Sequence, residues 1–192
     1  MKKFNGFIVA ASLTSALIIA AGCSENVVKA DLDRVLDITS DALYKFENSP
    51  QNTKDDNAME EFADNLRFGL STATPPVHPG PVGIVLKEDG SFGGFHDKNG
   101  NTEKDAGEPN LFTIEVDSEG GRLLATDASG NTRDHHFSGT GMMAGFLLGS
   151  MLSRQRSAGV SPSSLSSKKA TPKSAYQSAR SRAGSGSHSS GK

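Results

Sequence analysis

Apolar and polar positions follow distinct patterns along this chain. A largely apolar run from Phe7 to Gly22 comes first. From Val28 onward apolar residues recur every three or four positions, and from Val82 onward they alternate with polar ones. A spacing of three to four predicts amphipathic helices, whereas alternation predicts strands with one buried face. The pattern therefore predicts an α+β fold that follows an apolar leader.

The helical pattern has two parts. The first extends from Val28 to Phe46 and should end at Asn48-Ser49-Pro50, because proline cannot continue a helix. The second begins after Asp55-Asp56, and its apolar face contains Met59, Phe62, Ala63 and Leu66. Two amphipathic helices joined by a short polar link predict a helical hairpin within residues 23–72. A proline-rich extended spacer, residues 73–81, should follow it and leave His78 in solvent.

A small antiparallel sheet is predicted within residues 82–136. Residues 82–86 and 92–95 flank the turn sequence Glu88-Asp89-Gly90 and predict one hairpin. Residues 112–116 and 122–126 flank a second turn and predict another. The helical hairpin would pack against this sheet.

Three histidines lie beside these predicted strands. His135 and His136 follow the second hairpin and are interpreted as a polar lead-in, because neighbours on a strand point to opposite faces and cannot bind one ion together. His96, beside Asp97, has no single interpretation. The histidines therefore predict no metal or catalytic site.

Charge divides the chain into an acidic body and a basic tail. All 22 acidic residues lie between Glu25 and Asp134, where ten basic residues leave a formal charge of −12. Eight lysines and arginines and no acid follow Asp134. Residues 153–192 are rich in serine, glycine and basic residues and are predicted to be disordered.

Two interpretations of this tail stay open. It could contact anionic lipid headgroups, lipopolysaccharide or wall polymers, or it could be solvated without a fixed partner. Nucleic acid is not expected as a partner, because the arginines are dispersed in serine and Tyr176 alone could stack on bases.

The leader and the single cysteine indicate export. Lys2 and Lys3 precede the apolar run, and small residues end it, which is typical of a removable signal rather than a spanning helix. The sequence Ile19-Ala20-Ala21-Gly22-Cys23 resembles the lipobox of bacterial lipoprotein precursors. That resemblance implies removal of residues 1–22, acylation of Cys23 and attachment to membrane lipid. Ser24 in the next position resembles the pattern that sorts Gram-negative lipoproteins to the outer membrane. The alternative is an ordinary secretory signal that leaves a stray thiol.

A loop between the two predicted hairpins carries oxygen side chains at regular intervals. They occupy loop positions one, three, five, nine and twelve: Asp97, Asn99, Asn101, Asp105 and Glu108. This spacing resembles EF-hand calcium loops and most closely the loops of B-type repeats in bacterial surface adhesins. The resemblance implies Ca²⁺ as cofactor, with Glu108 closing the shell and Glu103 contributing its carbonyl. Thr102 departs from the pattern, since EF-hand loops have glycine at position six, where the chain turns sharply, and a β-branched residue forced to positive φ there would be strained. The alternative is a hydrophilic turn.

Glycines recur every four residues in the apolar segment 137–152. Gly141, Gly145 and Gly149 would form a smooth face on one helix, and the segment resembles the glycine zippers of small envelope lipoproteins. It is shorter than the roughly 20 residues that span a bilayer. The resemblance implies association through this helix with a second copy or an envelope protein. The alternative is a helix that packs on the protein's own sheet.

No sequence signature of a hydrolase or metalloprotease gathers the Ser, His and Asp residues into a catalytic arrangement. The sequence therefore predicts a non-enzymatic envelope lipoprotein with a structural or interaction role. A membrane-tethered module that binds a ligand or partner is the alternative, and an enzyme is less favoured.

Overall fold

The computed structural model of the chain describes residues 29–50, 54–137 and 145–173. It confirms the two predicted amphipathic helices: α1 is Leu32–Asn48 and α2 is Ala58–Ser71. Asp31 caps α1, because its side chain accepts a hydrogen bond from the Arg34 amide at 3.4 Å. The helices end near the predicted boundaries because the capping and proline signals are local.

The sheet is antiparallel, as predicted, but has five strands in the order β1-β2-β3-β4-β5. The strands are β1 Val82–Leu86, β2 Phe92–His96, β3 Asn110–Asp117, β4 Arg122–Asp127 and β5 Thr132–His136. The two predicted hairpins are joined by pairing between β2 and β3 into one meander. The prediction of only four strands was wrong, as was the lead-in role of His135 and His136, which end β5. Its sequence Thr-Arg-Asp-His-His lacks the apolar alternation that identifies a strand.

The helices and one face of the sheet share a single core. Helix α2 lies against β1, and α1 lies against β4 and β5. Phe62 of α2 joins the two layers, because its ring is 5.8 Å from that of Phe46 in α1 and 5.2 Å from that of Phe92 in β2. Burial of aromatic side chains of this size is a main source of stability in a small core.

A third helix completes the core, but its position differs from the prediction. Helix α3 is Phe146–Ser157, and its buried residues include Leu147, Leu148 and Met151. The prediction of a helix from residue 137 was wrong, because the Phe137 amide donates to the Gly121 carbonyl at 2.9 Å beside the sheet. Among the described residues, no helix is both long and apolar enough to cross a membrane.

The segment after α3 is folded up to residue 173, so the predicted disorder of the tail was wrong for residues 153–173. It contains α4, Pro162–Ser166, which lies against β3. The rest of the predicted tail, residues 174–192, lies outside the described residues.

Arg122 fixes this segment to the sheet. Its Nε donates to Asp117 at 2.8 Å and its Nη1 donates to Asp134 at 2.9 Å. Its Nη2 donates to the carbonyls of Ser166 and Lys168 at 3.2 and 2.8 Å. Hydrogen bonding to Asp117 raises the pKa of Arg122 above its ordinary value, so the guanidinium stays charged.

Candidate functional site

The candidate site is the acidic loop, residues 97–108, between β2 and β3. Two main-chain hydrogen bonds close its base: the His96 amide donates to Pro109 at 3.0 Å, and the Asp97 amide donates to Pro81 at 3.1 Å. The loop therefore starts and ends at fixed points on the sheet.

Asp97 organises the first half of the loop. Its side chain is buried, with 3% of the residue exposed. One carboxylate oxygen accepts from the Gly100 amide at 2.7 Å, and the other accepts from the Thr102 amide at 2.9 Å. Thr102 has a φ of 68°, the left-handed conformation that the sequence predicted to be strained at a β-branched residue.

The two asparagines face Asp105. Their side-chain oxygens accept from main-chain amides, that of Asn99 from Asn101 at 3.1 Å and that of Asn101 from Glu103 at 2.9 Å. Their amide nitrogens both donate to one carboxylate oxygen of Asp105, at 2.7 and 3.0 Å. The loop thus brings three of the five predicted ligand side chains into contact.

Glu108 closes the second half of the loop. Its carboxylate accepts from the Lys98 amide at 2.7 Å and from the Asp105 amide at 3.1 Å. Lys104 donates to the Glu108 carbonyl, and its ammonium lies 5.6 Å from the centre of the Phe95 ring. Lys104 therefore places a positive charge beside the predicted calcium ligands.

The Asp97 and Glu108 carboxylates are engaged by main-chain amides, and the Asp105 carboxylate is engaged by the side-chain amides of the two asparagines. Within residues 29–50, 54–137 and 145–173, no three His, Cys, Asp or Glu side chains gather into a group that could hold a metal ion. To hold an ion, the loop would have to turn the asparagine side-chain oxygens toward it. The hydrogen bonds that the asparagine side-chain amides donate to the Asp105 carboxylate would have to break. The arrangement can therefore serve as a hydrogen-bonded turn, or as a calcium loop after a local rearrangement.

Two histidines lie beside the base of the loop. The rings of His78 and His96 are 4.8 Å apart, and the Gly80 amide donates to Nδ1 of His78 at 3.0 Å. His78 is only 6% exposed, so the prediction of a solvated loop residue was wrong. The proline-rich segment folds back on β2, and no local sequence signal predicts this tertiary contact.

Gly145 and Gly149 do not share a helix face. Gly145 has extended backbone and precedes α3, whereas Gly149 lies within it. A Cβ on Gly145 would lie 2.6 Å from a carboxylate oxygen of Glu47, which accepts from the Leu147 amide at 2.7 Å. A Cβ on Gly149 would meet no heavy atom of the described residues within 4 Å. Gly141 and the predicted lipidation residue Cys23 lie outside the described residues.

No family model, curated protein or solved structure matches this chain.

Proposed function

We propose that this chain is a non-enzymatic lipoprotein of the bacterial cell envelope, anchored to membrane lipid through acylated Cys23. The observation that carries this proposal is the position of Cys23, directly after the apolar run and six residues before Lys29, where the described fold begins. Such a short link holds the folded body close to the bilayer. Ser24 favours the outer membrane, and the body would act there through contacts with envelope partners.

Labelling with palmitate tests the anchor. The precursor should incorporate palmitate, and Cys23→Ser should abolish incorporation, because no other cysteine is present. Ser24→Ala is the matched control and should be labelled as the original chain is. Equal labelling of Cys23→Ser and the original chain would contradict the proposal.

A second candidate function is calcium binding by the acidic loop. It is favoured by the left-handed φ of Thr102 at loop position six, together with the Asp97 carboxylate that accepts the Thr102 amide. EF-hand loops turn sharply at this position, which glycine occupies. Calcium would draw its oxygens from Asp97, Asn99, Asn101, Asp105, Glu108 and the Glu103 carbonyl.

Calorimetry with Ca²⁺ tests this second candidate. Thr102→Gly should bind about as tightly as the original chain, because the left-handed φ of Thr102 is already present without calcium and its strain is the same before and after binding. The double variant Asp97→Ala/Glu108→Ala should show no binding, whereas Asp64→Ala on α2 should bind normally. An absence of calcium heat in both the original chain and Thr102→Gly would favour the hydrophilic turn.

A further inference from the structure

A groove open to solvent runs between α1 and α2, and we call it the α1–α2 groove. It has a volume of about 610 Å³, and most of its surface is apolar. Its apolar lining residues are Ile38, Ala42, Phe46, Phe68, Gly69 and Ala73. Mostly apolar concave sites of about 300–1,000 Å³ are typical of small-molecule binding.

The two helices that form the groove are antiparallel. Phe46 near the end of α1 contacts Phe62 near the start of α2, and a Cβ on Gly69 would lie 3.2 Å from the Ile38 side chain. Arg34 precedes Ile38 by one helical turn, so it lies at the end of the groove beside the C-terminus of α2. From Arg34 to Phe46 the groove follows α1 for about 18 Å, at about 1.5 Å per residue.

Arg34 supplies the charge of this groove that no opposite charge balances. Its Nε is buried and has no hydrogen-bond partner among the described residues. The other two charged residues that line the groove, Asp41 and Lys45, hydrogen-bond to each other at 2.7 Å. A buried donor without an acceptor costs free energy. An anionic group bound at this end of the groove would satisfy it.

The neighbouring carboxylates of α1 do not cancel the charge of Arg34. Asp33 accepts a hydrogen bond from Arg133 at 2.7 Å, and Asp37 lies 3.3 Å from Nδ1 of His135. Neither carboxylate lines the groove. A ligand in the groove therefore meets the guanidinium of Arg34, although the body as a whole is acidic.

Phe68 extends the apolar surface of the groove to its rim. It is 67% exposed and is the most exposed of the large apolar side chains that the structure describes. Tyr44 on α1 is similarly exposed, at 59%, but it does not line the groove. Exposed apolar surface that is continuous with a groove is typical of a binding site, whereas a single exposed side chain is ordinary.

The walls of the groove favour a hydrocarbon chain over an extended peptide. Both walls are helices, whose main-chain groups are hydrogen-bonded within each helix and offer no ladder to a peptide strand. A hydrocarbon chain requires no hydrogen bonds. A long apolar groove with a cation at one end is complementary to an apolar chain that carries one terminal anion.

We propose that the α1–α2 groove binds a long-chain fatty acid, with its carboxylate on Arg34 and its hydrocarbon chain extending past Phe68 toward Phe46. The N–H groups of a guanidinium form a planar fork that matches the two oxygens of a carboxylate. The binding is noncovalent and is lost on denaturation, which distinguishes it from acylation of Cys23. It does not depend on the proposed lipid anchor.

Calorimetry with dodecanoate tests the site. Residues 24–192, which contain every described residue and carry no acyl chain, should bind one dodecanoate per chain. Tetradecanoate should bind roughly tenfold more tightly, because each further buried methylene contributes up to about fourfold. Dodecyltrimethylammonium has the same chain with a positive head and should bind much more weakly than dodecanoate. No saturable binding of dodecanoate, or tighter binding of the cation, would overturn the proposal.

Two arginine variants test the position of the carboxylate. Arg34→Gln should weaken dodecanoate binding at least tenfold, because a hydrogen bond to a charged group is lost. Arg67→Gln removes the same charge from α2 and should leave the affinity unchanged, since Arg67 pairs with Asp64 and does not line the groove. Equal affinities of Arg34→Gln and the original chain would overturn the assignment of Arg34.

Two aromatic variants test the position of the chain. Phe68→Ser should weaken dodecanoate binding about tenfold, because apolar contact area is lost. Tyr44→Ser removes a similarly exposed ring outside the groove and should bind as the original chain does. Both side chains are exposed, so both variants should keep the circular dichroism of the original chain. Equal effects of the two substitutions would show that the chain does not lie in the groove.

Sedimentation of the same proteins separates a fatty acid from a second copy as the occupant. Residues 24–192 should remain monomeric with and without dodecanoate. A dimer that Phe68→Ser abolishes would overturn the proposal and assign the groove to a second copy of the chain. Failure of palmitate labelling at Cys23 would remove the anchor and leave the calorimetric result standing.

Discussion

Gly145 and Gly149 both belong to the four-residue glycine repeat of the sequence, but their surroundings in the fold differ. Gly145→Leu should lower the free energy of unfolding by about 1–3 kcal/mol, because a side chain there collides with Glu47 and disturbs its bond to the Leu147 amide. Gly149→Ala should raise it by about 0.5–1 kcal/mol, since alanine favours the helix and meets open space. Urea unfolding measures both variants. A loss of crosslinked oligomer with unchanged stability in Gly145→Leu would instead support the predicted glycine zipper.

Thr102 stores strain that glycine would relieve. In the absence of calcium, Thr102→Gly should raise stability by about 1 kcal/mol, because its φ of 68° is unfavourable for a β-branched residue. Gly100 has a φ of 73°, so Gly100→Thr provides the reverse change and should be destabilising. Thermal unfolding in chelator measures both. A decrease in stability for Thr102→Gly would show that the threonine side chain contributes more than its backbone costs.

The sequence predicted that the acidic loop lies between two hairpins, and it predicted strain at Thr102. It did not predict that the amides of Asn99 and Asn101 converge on Asp105, because spacing gives the order of ligands and not the rotation of each side chain. The burial of His78 against His96 could not be predicted from the sequence either, since it depends on where a distant segment folds.

Among the elements, the C-terminal segment is held by several polar contacts, two of which come from the Arg122 side chain. Arg122→Gln should destabilise the protein by about 3–5 kcal/mol, because it leaves the fully buried Asp117 carboxylate without its charged partner. It should also release α4, whose carbonyl contact at Ser166 is lost. Trypsin cleavage at Lys168 and Lys169 would then accelerate.

Arg67→Gln is the matched control for this variant. Arg67 forms an exposed pair with Asp64 on α2, and its loss should change stability by less than about 1 kcal/mol. Similar cleavage rates for Arg122→Gln and the original chain would show that the segment is held by other contacts.

Elements with an apolar period were predictable and elements without one were not. Helices α1 and α2 and strands β1 to β4 carry a local pattern of burial that the sequence displays. Strand β5 is held by ladder hydrogen bonds and by polar side chains such as Thr132 and Arg133, and α4 buries Leu165 alone. The residues that contact β5 and α4 lie far away in the chain. The local composition therefore predicted a polar lead-in and a disordered tail in place of this strand and this helix.

The whole molecule should unfold as one unit, although the sequence divided it into a helical hairpin, a β domain and a separate helix. Phe62 contacts rings in both layers, so Phe62→Ala should lower stability by about 3–5 kcal/mol for helices and sheet alike. Far-ultraviolet circular dichroism and amide exchange in β3 would follow the two layers. Separate transitions would contradict a single cooperative core.

Arg133 donates to Asp33 near the start of α1 at 2.7 Å and to the Thr171 carbonyl at 2.6 Å. This bridge limits when folding can finish. Asp33 and Arg133 are 100 positions apart, and Thr171 follows Arg133 by another 38. Contacts so distant in sequence form late, because the intervening chain must first be brought together. Until about residue 171 has emerged from the ribosome, the bridge lacks one of its partners. Under the export that we propose, a nascent chain with this bridge unmade stays open for threading through a translocation channel and completes its fold afterwards.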